Sequence, residues 1–148
     1  MTGKKWYLLG IGLNLVFIWG NSMLPGDVSG QISGGVFEYV EELFSVFGSA
    51  GEFVLRKLGH FSEFTLLGFL LAGLVCCFPL RRQDGFVLPL LGGLLTACVD
   101  ETIQIFVPGR GPSVRDVCID SCGVLLGVIL LTLGHHYLRR KHLEENLT

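Results

Sequence analysis

Four long apolar runs order the chain, each bounded by charge or by a Pro-Gly break. Residues 6–24 follow Lys4 and Lys5 and are interrupted only by Asn14, Asn21 and Ser22. Residues 56–80 end at Arg81-Arg82, residues 86–107 at Pro108-Gly109, and residues 114–137 precede Arg139-Arg140-Lys141. About 20 residues at a 1.5 Å rise cross a hydrocarbon core of about 30 Å, so each run predicts a spanning helix. A weaker pattern occupies residues 35–48. There Val36, Val40, Leu43, Phe44 and Phe47 recur at spacings of three and four, with Glu38, Glu41 and Glu42 between them. This predicts a short amphipathic helix that lies on the membrane surface or packs across the helix ends. Asp27 to Gly35, polar and Gly/Ser-rich after Pro25-Gly26, predicts a loop. The expected fold class is all-α integral membrane, with four transmembrane helices in a bundle and one short amphipathic helix, in a single domain over residues 1–148.

Composition agrees with that pattern. Half of the 148 residues are hydrophobic and 16% are charged, against about a quarter in soluble domains. The mean hydropathy is +0.58. Lys and Arg total 11 against 13 Asp and Glu, so there is no basic excess to neutralise phosphates, and nucleic acid is excluded as a partner. A basic start before an apolar run also fits a cleaved leader. The run ends Trp19-Gly20-Asn21-Ser22-Met23 without an Ala-x-Ala site, which favours a retained helix. With four spans, both termini share one side. That side holds Lys4, Lys5, Arg81, Arg82, Arg139, Arg140 and Lys141, while Arg56, Lys57, Arg110 and Arg115 lie on the other. The positive-inside rule makes the termini cytoplasmic. Most of the acids fall on the outer side, which we read as functional.

Depth brings the polar residues into one layer. At 1.5 Å per residue from Arg81, Glu63 sits about 27 Å up and His60 about 31 Å. From Asp84, Asp100 is about 24 Å up, Glu101 about 25 Å and Gln104 about 30 Å. From Arg139, Asp120 is about 28 Å up and Asp116 about 35 Å. Three helices thus carry carboxylates to the outer interface. Spacing sets the faces: His60 and Glu63 are i,i+3, and Asp116 and Asp120 are i,i+4. Below Asp120 the same stripe meets Gly123 and Gly127, a G-x-x-x-G spacing suited to close helix contact. Gly92, Thr96, Asp100 and Gln104 form a similar ladder. Ionisable groups inside a span cost about 2.5–3.5 kcal/mol on insertion scales and face the bundle interior. Arg110, in the constrained loop Val107 to Ser113, and Arg115 lie beside the acids and could pair with two of them. Asn14, alone on the first helix, predicts an interhelical hydrogen bond. The five cysteines sit in spans, and in such places Cys usually acts as a small apolar residue. His135, His136 and His142 read as interfacial residues at a basic helix end.

Two long motifs resemble the VanZ-like family of membrane proteins. One runs from Arg56-Lys-Leu-Gly-His60 through Glu63 to Leu71. The other runs from Asp100-Glu-Thr-Ile-Gln104 through Arg110, Asp116 and Asp120 to Gly123. The Asn21-Ser-Met-Leu-Pro-Gly26 exit from the first helix is similar too. The resemblance implies a multi-pass protein of the bacterial plasma membrane, in a family whose namesake is linked to low-level resistance to the lipoglycopeptide teicoplanin. It marks His60, Glu63, Asp100, Glu101, Gln104, Arg110, Asp116 and Asp120 as the family's polar positions.

Two functions fit these residues. In the first, the cluster binds an outer-leaflet or cell-wall-related ligand, such as a lipid-linked precursor or a lipoglycopeptide, through Asp100, Gln104, Arg110, Ser113 and Arg115. In the alternative, the protein is a metal-dependent enzyme acting on a lipid-linked phosphate. Glu101, Asp116 and Asp120 would then hold a divalent cation such as Mg²⁺ or Mn²⁺. His60, with Glu63 and Glu101, would supply acid–base chemistry. A salt-bridge network that only fixes helix packing would use the same residues.

Overall fold

A computed structural model describes residues 2–44, 50–81 and 83–145, and among these every regular element is a helix. In chain order these are α1 (Thr2–Ser22), α2 (Gly26–Phe44), α3 (Gly51–Cys76), α4 (Asp84–Ile105) and α5 (Val114–Glu145). Three segments are each long and apolar enough to cross a membrane: Phe53–Cys76, Asp84–Ile105 and Val114–Leu138. Gly3–Ser22 and Gly26–Ile32 pass that test only together, across a bend of 113°, which makes α1 with the start of α2 the fourth candidate span. Only 28–33% of each of the three windows is buried inside the protein. Large apolar side chains such as Val16, Leu95 and Leu133 point outward, as lipid-facing residues do.

α3 packs most extensively on α5, and glycine makes this possible. A Cβ on Gly127 would run into the Thr65 carbonyl oxygen, and one on Gly68 into that of Val124. The backbones therefore touch where G-x-x-x-G spacing predicts. The core seam joins Ile18 of α1, Phe64, Leu67 and Ala72 of α3, Ala97 of α4, and Val124 and Val128 of α5. α1 runs antiparallel to α3: Lys4 lies over the Phe78 ring at one end, while Asn14 reaches the Glu63 carbonyl further along. The Asn14 bond, Nδ2 to O at 3.2 Å, is the interhelical contact expected of a lone amide in a span.

One boundary differs from expectation. Asp27 to Gly35 is helical, not a loop, because α2 starts at Gly26. Pro25 stops α1 but seeds α2, since its carbonyl accepts the Ser29 N–H at 2.9 Å. Asp27 in the first turn complements the helix dipole. Packing against α3 offsets the roughly 1 kcal/mol that each glycine costs in a helix. The 45–48 end of the expected amphipathic helix lies outside the described residues. The fourth run matches the expected 114–137, with Val114–Leu138 as the candidate span, and α5 continues beyond it to Glu145, with a Lys141–Glu145 ion pair at 3.9 Å. Basic residues near a helix C-terminus favour that extension.

Candidate functional site

The N-terminal parts of α3 and α5 and the C-terminal part of α4 meet at one end of the bundle, beside the α1–α2 corner. The corner is sewn to the α4–α5 loop. Gly26 donates its N–H to the Pro108 carbonyl at 3.0 Å. Arg110 donates from Nε to the Leu24 carbonyl at 3.1 Å and from Nη2 to the Asn21 carbonyl at 2.9 Å. Asn21 is in the last turn of α1 and Leu24 just beyond it, at the helix end whose dipole favours a cation. Gly109, with φ +74°, turns the loop so that its backbone lies against Gly26, where a Cβ would collide with the Gly109 carbonyl oxygen. Burial pulls the Arg110 guanidinium below its ordinary value and Arg56 pushes the same way, while Asp100 and Glu101 oppose. It nevertheless stays charged.

This corrects one expectation. Arg110 holds backbone carbonyls instead of pairing with a carboxylate, and Arg115 is exposed. The cation that does pair is Lys57, whose Nζ lies 2.5 Å from Asp116 Oδ2. Sequence reasoning counted Lys57 only as an orientation charge, although it sits i−3 from His60 and shares its face. Ser113 lies at the start of α5. Its Oγ accepts the Arg115 N–H at 3.2 Å, an N-cap contact, and its own N–H reaches Glu101 Oε2 at 2.7 Å.

The remaining acids sort onto different partners. On α4, Pro89, Gly93, Ala97, Asp100, Glu101 and Gln104 form one buried stripe. Asp100 Oδ2 accepts from Gln104 Nε2 at 2.9 Å, and the same Nε2 lies 3.3 Å from Ser22 Oγ on α1. Glu63 turns toward α1, where Asn21 Nδ2 approaches its Oε1 at 3.5 Å. His60, Asp100 and Asp120, from three helices, each place one ligand atom within 4.8 Å of the others. Of the three acids predicted to share a metal, only Asp120 belongs to this group. The α1 contributions of Asn21 and Ser22 were signalled only by their interruption of an apolar run.

Two concave features adjoin. A cavity of about 80 Å³ is lined by polar groups from α3, α4, the α4–α5 loop and α5, including Arg56, His60, Glu101, Arg110 and Asp120. A groove of about 650 Å³ opens beside it, walled by Leu13, Val16, Phe17, Leu24, Ile32 and Leu55. Arg56 and His60 border both. Among the described residues, neither Arg56 nor Arg110 forms an ion pair. Ser113 and Arg115 are not in the cavity wall. Glu63 lines the groove and not the cavity.

Comparison with curated proteins and with solved structures returns no match. A family model described as VanZ/LLP1 matches residues 7–135, which take in α2, α3 and α4 whole, most of α1 and α5, and both polar motifs. The chain therefore belongs to the VanZ/LLP1 family, as a multi-pass membrane protein with apolar helices.

Proposed function

We propose that this protein binds an amphiphile of the outer membrane leaflet, one with an anionic polar head and a hydrocarbon tail. The observation that supports this most directly is the junction of the two concave features at Arg56 and His60. An acyl or polyprenyl tail would lie in the Leu13–Phe17–Ile32–Leu55 groove. The head would turn into the polar cavity, where Arg56 and Arg110 supply positive charge. With both termini cytoplasmic, as the distribution of Lys and Arg favours, this end of the bundle faces outward. Lipid-linked cell-wall precursors and tailed lipoglycopeptides such as teicoplanin share the required chemistry. The family's link to teicoplanin would then follow from recognition of the tailed compound.

The test is binding to the full chain in nanodiscs, with a polyprenyl phosphate and teicoplanin as probes and untailed vancomycin as comparison. Gly20 borders the groove, and a Cβ there meets nothing within 4 Å, so Gly20→Leu fills the groove without disturbing a helix. We expect saturable binding of a tailed probe, weakened about tenfold or more by Gly20→Leu and by Arg56→Gln, roughly 1.4 kcal/mol. Failure of both tailed probes to bind overturns the proposal, as does equal binding of vancomycin.

A further inference from the structure

We infer that His60, Asp100 and Asp120 form a site for one divalent transition-metal ion of the Mn²⁺–Zn²⁺ class, at the inner wall of the polar cavity. The three side chains come from α3, α4 and α5 and are 8%, 0% and 2% exposed. Their ligand atoms lie within 4.8 Å of one another. Two ligands on one ion with bonds of about 2.0–2.2 Å are at most about 4.4 Å apart, so small side-chain adjustments close the site.

A second observation points to a ligand. Asp100 Oδ1 and Asp120 Oδ2 are buried and have no hydrogen-bond partner. Two dry carboxylates with orphaned oxygens are costly unless charge is supplied. Among the described residues Lys57 pairs with Asp116, Arg110 donates to the carbonyls of Asn21 and Leu24, and neither they nor Arg56 forms an ion pair with Asp100 or Asp120. A divalent ion would cancel both charges and satisfy both oxygens at once.

The surroundings resemble those of a built metal site. Gln104 fixes the second oxygen of Asp100 and is itself close to Ser22, the outer support that orients a ligating carboxylate. The cavity of about 80 Å³ touches His60 and Asp120 and leaves room for water or a ligand atom in the remaining coordination positions. One imidazole with two carboxylates suits Mn²⁺ or Zn²⁺ better than an all-oxygen set, which would suit Mg²⁺ or Ca²⁺. Glu101 and Asp116, each already engaged through one oxygen, are left as neighbours of the ion.

This inference does not depend on the proposed amphiphile, and its test uses the metal alone. The full chain, purified in detergent with its affinity tag removed and stripped with chelator, is titrated with Mn²⁺. The spectrum of free aqueous Mn²⁺ is followed by electron paramagnetic resonance, and Zn²⁺ then competes. We expect one ion per chain, displaced by stoichiometric Zn²⁺ and not by a large excess of Mg²⁺. Asp120→Asn and His60→Gln should weaken it at least tenfold, and Gln104→Leu 10- to 100-fold through the loss of outer support. The double variant His135→Gln/His136→Gln should leave it unchanged. Gel filtration and helical circular dichroism establish which variants fold. Should the ligand variants not fold, a metal-dependent rise in the unfolding temperature of the wild type, absent in folded Gln104→Leu, supports the site. The site is refuted if the wild type takes up neither ion stoichiometrically. It is also refuted if uptake survives in folded Asp120→Asn, or if Mg²⁺ competes equally.

Discussion

Arg110 is the side chain whose removal should most sharply separate the two halves of the site. It spans from the α4–α5 loop to two carbonyls of the α1–α2 corner, at 3.1 and 2.9 Å. Hydrogen bonds from a charged donor contribute about 1.5–3 kcal/mol each, so the pair sums to about 3–6 kcal/mol. Arg110 is half-buried, so water replaces part of what Arg110→Ala removes, and a net loss of about 2–4 kcal/mol is expected. The loss should be local, because no residue of the core seam lies in the α1–α2 corner or the α4–α5 loop. The assay is amide hydrogen exchange of the peptide around Gly26, whose N–H is held by the Pro108 carbonyl. At about 1.4 kcal/mol per factor of ten, Arg110→Ala should speed exchange there by roughly 30-fold or more. Arg110→Lys keeps the charge but offers a point donor instead of a fork, so it should recover only part of the protection. Gly26→Ala attacks the same joint from the other side, because its Cβ meets the Gly109 carbonyl oxygen. The double variant should therefore cost less than the sum of the two singles. Unchanged exchange at Gly26 in Arg110→Ala, or strict additivity with Gly26→Ala, would refute the clamp.

Two other perturbations probe the layers beneath and beside that joint. Gly127→Ala should destabilise by about 1–3 kcal/mol, the range for overpacking, and Gly127→Leu should fail to accumulate, since the backbones of α3 and α5 must part. Gly134→Ala, with nothing within 4 Å of its Cβ, should be neutral or slightly stabilising, as thermal unfolding of the purified proteins will report. At the cavity rim, Lys57→Met and Asp116→Asn each strand one partner of a pair that is only 21% and 16% exposed. Each should cost about 1–3 kcal/mol, less than the full penalty for a buried pair. The exchange Lys57→Asp with Asp116→Lys should restore more than half of the unfolding temperature that either charge-reversing single loses. If the swap is no better than the worse single, the two residues are not coupled.

What the sequence disclosed and what it withheld follow from the same geometry. Apolar run length announces a spanning helix directly, and a 1.5 Å rise places His60, Asp100 and Asp120 at one depth without any knowledge of packing. Gly123 and Gly127 likewise marked the contact face of α5, because only a residue without a side chain lets backbones touch. The helical start of α2 was hidden, since Gly and Ser disfavour helix locally and tertiary contacts, with α3 and with the α4–α5 loop, reverse the balance. The partners of Arg110 were hidden more deeply. Backbone carbonyls exist at every position and leave no mark in the residue pattern, whereas the nearby acids offered a plausible but wrong destination. Depth also says nothing about direction. Consecutive residues on a helix point about 100° apart, so Asp100 and Glu101 cannot serve the same partner from the same height. Asp100 turns toward Gln104, His60 and Asp120, while Glu101 turns to the Ser113 N–H. Rotation about the helix axis, fixed by the Pro89–Gly93–Ala97 packing stripe further down α4, therefore divides the acids. Some are held by hydrogen bonds and an ion pair, and three, Glu63, Asp100 and Asp120, keep an orphaned oxygen each in the interior.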